Sequence, residues 1–507
     1  MCPTSKSNSI MRFVPQQRAL YCYIALMLWI FLLVAESEIR NLPKNLKSDA
    51  KTKRIFKFCN YPEEITIGSE GQVDGNFSLE GVLVVFRHGD RGPLAHVRNV
   101  STVMCGPGNA ADRDELQSYM ESIINSSQSP GFPQFLGPFH SFPLLPPDGG
   151  EECGLGQLTG QGIVQLRRTG YLLRKAYSTR LLLDNLSLGP SIAVHSTRYR
   201  RTFQSALALL HSLVSPLPLT RAVFPFHEAH SLAFCFADCA CPSAEILRKQ
   251  AESESSNALK SHPAVGQLAR VLASAVFDGP VIPKSPDPRT VHDSLLAYAC
   301  HNAQLPCATS SGSRKNNLCV RTDHVKSLFT YVDWEARRLA RSLPMKRVSI
   351  LRAYGLLHHM VGQLLRLVSA DRRLPPSPRM VLYSGHDRTL QYLTGALGVA
   401  GGSLETAMPP YASRLVVELY RDNASVGSEA KQYLFRLLFN GRDLTGLLHF
   451  CRTSLLRNIT DIYETTGSKK INNALLCPLE SIVRYLHDDY FSTFNATNFK
   501  DSCSMHF

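Results

Sequence analysis

Residues 81–93, GVLVVFRHGDRGP, place Arg87, His88 and Arg91 within five positions of one another. Guanidinium forks match the oxygens of a tetrahedral oxyanion two at a time, and an imidazole between them is a nucleophile that is uncharged near neutral pH. A second group of cations, Arg198, Arg200 and Arg201, follows in HSTRYRRTFQS. Three arginines in the first turn of a helix oppose its macrodipole unless an anion sits there, so the local conflict itself points to a site. Arg198 and Arg201 are expected to share a face at i, i+3, with Arg200 pointing elsewhere. A third group, His386 and Asp387 in YSGHDRTL, supplies a further donor and a proton source. An HD dipeptide carries no weight alone; with the two arginine groups it completes what an oxyanion-handling site lacks.

These groups need elements that bring them together. Val82–Phe86 is an apolar run stopped by a glycine turn, the pattern of a strand buried on both faces of a parallel sheet. SIAVH (191–195) and RMVLY (379–383) repeat the pattern, each followed by one of the other two groups and then a helical sequence. Open α/β sheets bind ligands at the carboxyl ends of their strands. The expected fold is therefore α/β, with a parallel-type central sheet flanked by helices. GLGQLTGQGIVQLRRTGYLLRKAY predicts a helix through Ile163, Leu166, Leu172 and Leu173, with Thr159 as its N-cap and a close-packed glycine explaining QLTGQG. Residues 354–369 predict an amphipathic helix whose His358 and His359 serve packing or the surface. PPYASRLVVELY (409–420) and YLFRLLF (433–439) predict two closing strands, with Arg414 and Glu418 on one face and Leu415, Val417 and Leu419 on the other. Between about 215 and 345, helical segments and Pro-rich connectors suggest an inserted, mostly helical cap that shapes ligand choice.

Residues 19–35, ALYCYIALMLWIFLLVA, carry no charge, and Lys6, Arg12 and Arg18 precede them. That predicts a cytosolic tail (1–18), an uncleaved transmembrane signal-anchor (19–35), a lumenal stem (36–78) and a lumenal domain (79–507). The short span suits a Golgi membrane, giving a single-pass type II protein. The net charge is +14, of which residues 1–57 hold a surplus of seven. The remainder is a mild excess, compatible with an acidic substrate and short of a nucleic-acid-binding composition. Seven N-x-S/T sequons, at Asn76, Asn99, Asn125, Asn185, Asn423, Asn458 and Asn495, and twelve cysteines beyond the anchor fit glycosylation and disulfides in an oxidising lumen. The loop region 94–152 is expected to be pinned by Cys105 and Cys153. CFADCAC (235–241) has no second C-x-x-C or spaced histidine pair to complete a zinc site, so no metal is expected.

VVFRHGDRGP, GLGQLTGQG, STRYRRTFQSA, YSGHDRTL and PPYASRLVVELY, in this order over about residues 79–450, resemble the histidine acid phosphatase family. The resemblance implies a phosphoric monoester hydrolase without metal or cofactor. His88 would be the nucleophile; Arg87, Arg91, Arg201 and His386 would bind the phosphoryl oxygens; Asp387 would protonate the leaving alcohol. Arginines near His88 should keep it neutral. The chain departs from the family at Arg198 and Arg200, where members carry acids, which favours a phosphate surrounded by other anions. The expected substrate is a phosphorylated sugar, above all a phosphoxylose in the linkage region of a proteoglycan. The alternatives are a phytase-like inositol polyphosphate phosphatase or an inactive lumenal anion-binding protein.

Overall fold

In the computed structural model the described residues are 50–73, 75–185, 187, 189–236, 240–277, 285–308, 318–369, 377–424, 432–452, 457–465 and 468–505. The chain divides into two units, Met1–Arg54 and Ile55–Phe507. Only residues 50–54 of the first are described, so the expected tail and anchor lie outside the described residues. Among the described residues no helix is long and apolar enough to cross a membrane.

Cys307–Ala308 pairs with Leu318–Cys319 in a separate two-stranded sheet, and the strands of the main sheet are β1 (Phe77–Arg87), β2 (Ile192–Thr197), β3 (His227–Ala229), β4 (Met380–Gly385), β5 (Arg414–Asp422), β6 (Tyr433–Phe439), β7 (Arg442–Asp443), β8 (Arg457–Thr465) and β9 (Ser468–Pro478). They form one sheet in the order β8-β9-β6-β5-β1-β4-β2-β3, with β7 attached to β6. The pairs β1/β4, β4/β2 and β2/β3 are parallel, and from β1 outward through β5, β6 and β9 the pairing is antiparallel. The sheet is thus mixed, parallel on the side that carries all three sequence groups.

Val82–Phe86 is wholly buried because both faces of the sheet are covered. Val82, Val84 and Phe86 pack on α3 (Gly160–Tyr177) and α4 (Arg200–Val214), as do Met380 and Leu382 of β4. Leu83 and Val85 face α9 (Leu343–Val368) and α10 (Asp387–Ala396) on the other side. Each such side chain, once fully buried, contributes about 1.5–3 kcal/mol. The helices are numbered along the chain: α1 (Ala50–Cys59) and α2 (Ala110–Ser127) precede α3, and α5 (Pro242–Ser261), α6 (Pro263–Val276), α7 (Pro288–Cys300) and α8 (Thr322–Ala340) lie between β3 and α9. The last three enclose an apolar cluster of their own, including Leu272, Val291, Leu295 and Leu328, and make the helical cap.

The stem expectation fails for its second half. Ile55, Phe58 and Cys59 of α1 are buried in the cap cluster, and Ile65 and Val73 in the cluster beneath the sheet. Glu70 is a buried partner of Arg414, at 2.6 Å. The i, i+3, i+4 spacing of Ile55, Phe58 and Cys59 is helical, but it is one turn long and drowned by lysines. The last fifty residues are likewise less peripheral than expected: β9 joins the sheet, and Leu479, Ile482, Tyr490 and Phe494 pack in the α9 cluster. Five disulfides are described, Cys59–Cys300, Cys105–Cys153, Cys241–Cys503, Cys307–Cys319 and Cys451–Cys477, and Cys235 is disulfide-bonded too. Among the described residues one group has metal-ligand spacing, Cys105, Cys153 and His301. Its two sulfurs are bonded to each other, which leaves no thiolate to bind an ion.

Candidate active site

The three sequence groups meet at the carboxyl ends of adjacent parallel strands. Arg87 ends β1, and His88, Gly89, Asp90 and Arg91 form the turn beyond it. Arg201 lies in the first turn of α4, after β2, and Asp387 begins α10, directly after β4. Arg87, His88, Arg91, Arg201, His386 and Asp387 all line one cavity of about 460 Å³, which extends from the sheet to the cap helices.

The turn is held by close backbone approach. A Cβ on Gly89 would stand 2.3 Å from the Gly162 carbonyl, and one on Gly162 would stand 2.3 Å from the Asp90 carbonyl. Only two glycines let α3 come this near. Thr159 caps α3 by accepting from the Gly162 amide at 3.0 Å, and its hydroxyl donates to Asp90 Oδ2 at 2.7 Å. Gln165 Oε1 accepts from the Asp90 amide at 2.7 Å. QLTGQG is therefore structural, as its cap and glycine imply.

His88 is buried, and its Nδ1 lies 2.8 Å from the Gly89 carbonyl oxygen. A carbonyl can only accept, so Nδ1 carries the proton and Nε2 keeps its lone pair. Burial, then the charges of Arg201 and Arg87, hold the imidazole well below its ordinary pKa. Burial is the largest single cause, and the arginines act in the same direction, as the sequence implies. Arg87 donates to the Pro409 carbonyl at 2.7 Å and lies over the Tyr411 ring, 4.3 Å from its centroid. Buried Nε atoms of both Arg87 and Arg201 have no protein partner. Unpaired buried guanidinium N–H groups are costly, and an oxyanion satisfies them.

Asp387 stands at the mouth, its side chain 44% exposed and 3.9 Å from Arg87. Burial would raise its carboxyl, but Arg87, Arg388 and Arg91 more than offset this and hold it down, at about 2. The free site therefore presents a carboxylate there, not the carboxylic acid that proton donation needs.

A family model, the histidine phosphatase superfamily (branch 2), matches residues 78–440. The chain belongs to that superfamily. It is 28% identical over 510 residues to the 2-phosphoxylose phosphatase 1 of Homo sapiens, covering 96% of each chain. It is 26% identical over 313 residues to the prostatic acid phosphatase of Mus musculus, covering 56% of this chain and 72% of the other. The crystal structure of the multiple inositol polyphosphate phosphatase of Bifidobacterium longum with inositol hexasulfate superposes more loosely. Its TM-score is 0.46 at 14% identity, covering 82% of this chain and 94% of the other.

In this histidine phosphatase the six expected residues share one cavity. His386 Nδ1 is 3.4 Å from Arg201 Nη2, and its Nε2 is 2.9 Å from Thr197 Oγ1. A guanidinium only donates, so Nδ1 accepts and the ring's N–H goes to Thr197. Burial, then Arg201, push its pKa down to about 3, so it stays neutral. In the free site His386 thus lines the cavity between Thr197 and Arg201.

Arg198 and Arg200 are not part of the cavity lining. Arg198 is exposed and ion-paired with Glu228 at 2.8 Å. The helix begins at Arg200, not Arg198, so the i, i+3 relation to Arg201 does not exist. His359 packs as expected, stacked on Phe236 and 3.0 Å from the Tyr383 hydroxyl. Sequence reasoning missed Asp293, Tyr411 and His301. Asp293 grips Arg91, and His301 Nε2 meets Asp90 Oδ2 at 2.8 Å. Asp293 and His301 stand far along the chain, outside any motif, whereas Tyr411 lies in PPYASRLVVELY, which was read only as a strand.

Proposed function

We propose that this chain removes phosphate from a phosphorylated sugar, of the 2-phosphoxylose kind found in a proteoglycan linkage region, through a phosphohistidine. The observation that carries this is the convergence of His88 Nε2, three arginines and Asp387 on one cavity. The name of the human relative, matched along nearly its whole length, supports the sugar.

His88 Nε2 attacks phosphorus, forming a P–N bond as the P–O bond to the sugar breaks. Arg87, Arg91 and Arg201 hold the non-bridging oxygens while charge redistributes, so catalysis is chiefly positioning and electrostatics. Asp387 passes a proton to the departing sugar oxygen. A bound phosphate brings negative charge beside Asp387 and raises its pKa, which lets it take the proton from a monoanionic substrate. Water then attacks the phosphohistidine, Asp387 accepts its proton, and phosphate leaves with His88 restored.

The same reading puts residues 1–18 in the cytosol, 19–35 in a Golgi membrane as a type II anchor, and the catalytic body in the lumen. Asn76, Asn99, Asn125, Asn185, Asn423 and Asn495, the sequon asparagines whose exposure is described, are all exposed, which supports lumenal glycosylation. The test is hydrolysis of a phosphoxylosyl oligosaccharide and of phytate by the same preparation, beside a His88→Ala control. We expect turnover of the first, at least ~10-fold lower kcat/KM on the second, a pocket-level discrimination, and none by the control. Preference for phytate would refute the sugar assignment.

A further inference from the structure

Arg91 has five N–H groups in a fixed planar fork. Nη1 donates to the Gly92 carbonyl at 3.0 Å and to Asp293 Oδ2 at 3.3 Å, and Nη2 donates to Asp293 Oδ1 at 2.7 Å. Asp293 thus takes the end-on edge of the guanidinium. What remains is Nε–H and the second Nη2 proton, which lie parallel on the side-on edge, the second edge that can grip two oxygens of one anion. Arg91 is buried, so this division of its donors is set by the protein.

Asp293 comes from the middle of α7, a cap helix far from the sheet in sequence. The same helix is tied to the turn again at its end. Cys300 bonds to Cys59, and His301 meets Asp90, the residue before Arg91. Two polar contacts, from this cap helix and from the residue that ends it, therefore clamp adjacent residues of the phosphate-binding turn.

We infer that Asp293 is a positioning residue for phosphoryl transfer, acting through Arg91 and supplied by the cap. The inference rests on the phosphomonoesterase reading above. It has a signature that a merely structural residue lacks. The Asp293 carboxylate opposes an incoming phosphate, so removing its charge favours anion binding in the ground state. Removing its grip lets Arg91 rotate, which harms alignment in the transition state. Turnover and phosphate affinity should therefore part company.

The experiment uses the full chain with p-nitrophenyl phosphate as substrate and inorganic phosphate as competitive inhibitor. Asp293→Asn is expected to lower kcat about 10- to 100-fold, with the phosphate Ki unchanged or tighter and the melting temperature unmoved. In an Arg91→Lys background, where no fork remains to be aligned, the same change is expected to cost less than about twofold, the non-additivity of residues acting as one unit. If Asn at 293 does not fold, Asp293→Glu keeps the charge and shifts the grip by one methylene. It is expected to lower kcat with the Ki unchanged. A kcat within about twofold of the parent, a Ki that weakens in step with kcat, or a full additional cost beside Arg91→Lys would overturn the inference. A parent inactive on any phosphomonoester would be a distinct result, removing the phosphomonoesterase reading and this inference together.

Discussion

In the free site His88 is held neutral and Asp387 ionised, by different means. For His88, burial and the neighbouring guanidinium groups work together against the imidazolium. For Asp387, burial works against the carboxylate, and Arg87 with its neighbours overcomes it. The pH dependence follows from these signs. A phosphomonoester loses its second proton near pH 6, at about the value of a phosphorylated side chain. Above that pH neither free enzyme nor free substrate carries the proton that must reach the sugar oxygen. Below it the substrate brings the proton, and His88 remains neutral far below its usual range. We expect kcat/KM to be level in mild acid and to fall about tenfold per pH unit above about 6, with a sugar leaving group. A rate that rises from pH 6 to 8 would contradict this assignment of the proton. At this scale the sequence was legible where neighbours in the chain are neighbours in the site: Arg87, His88, Arg91, Arg201, His386 and Asp387. It was silent on Asp293 and His301, because contacts across 202 and 211 residues leave no spacing to read. The local partner of His386 was hidden for a related reason. Its N–H is claimed by Thr197, a partner only the folded sheet brings near.

The turn that carries His88 depends on α3 lying against it, and that depends on Gly89 and Gly162. Helix propensity alone says that Gly162→Ala stabilises α3 by about 1 kcal/mol. Sterics say the opposite, since the new Cβ would meet the Asp90 carbonyl at 2.3 Å. Backbone cannot swing away as a side-chain tip can, so the steric effect wins. We expect Gly162→Ala to cost about 1–3 kcal/mol, as overpacking does, with a lowered melting temperature. We also expect kcat/KM to fall about 100-fold or more, as a misplacement near 1 Å does. A variant that melts higher and keeps full activity would show that the glycine contact does not position the turn. Apolar runs and helical periodicity made most elements legible: β1, β2, β4, β5, β6 and α3 overlap the segments so read. They failed at ends and in short elements. α9 begins at Leu343, eleven positions before the amphipathic pattern becomes clear, because Ser342 caps it locally by accepting from the Met345 amide. α1 is too short and too basic to announce that its last turn is buried.

The molecule is a catalytic sheet with a cap clasped onto its reactive edge. Cys59–Cys300, Asp293–Arg91 and His301–Asp90 all join the cap to the β1 turn or to the segment leading into it. Composition and motifs made the α/β class and the helical insert legible, but not the antiparallel half of the sheet nor the pairing of the cysteines. Cys105–Cys153 alone was suggested by the loop it closes; the rest are tertiary facts, two of them spanning 241 and 262 residues. What unites these scales is the claim that phosphate passes through His88 Nε2. The most direct test is to quench Asp387→Asn during turnover of radiolabelled p-nitrophenyl phosphate. That leaving group departs without a proton, so the first step survives while the second, which needs Asp387 to accept a proton from water, slows. The label is expected on His88, close to one per chain, and absent from the Asp387→Asn, His88→Ala double variant. Turnover that persists in His88→Ala, or label found on another residue, would contradict the phosphohistidine route.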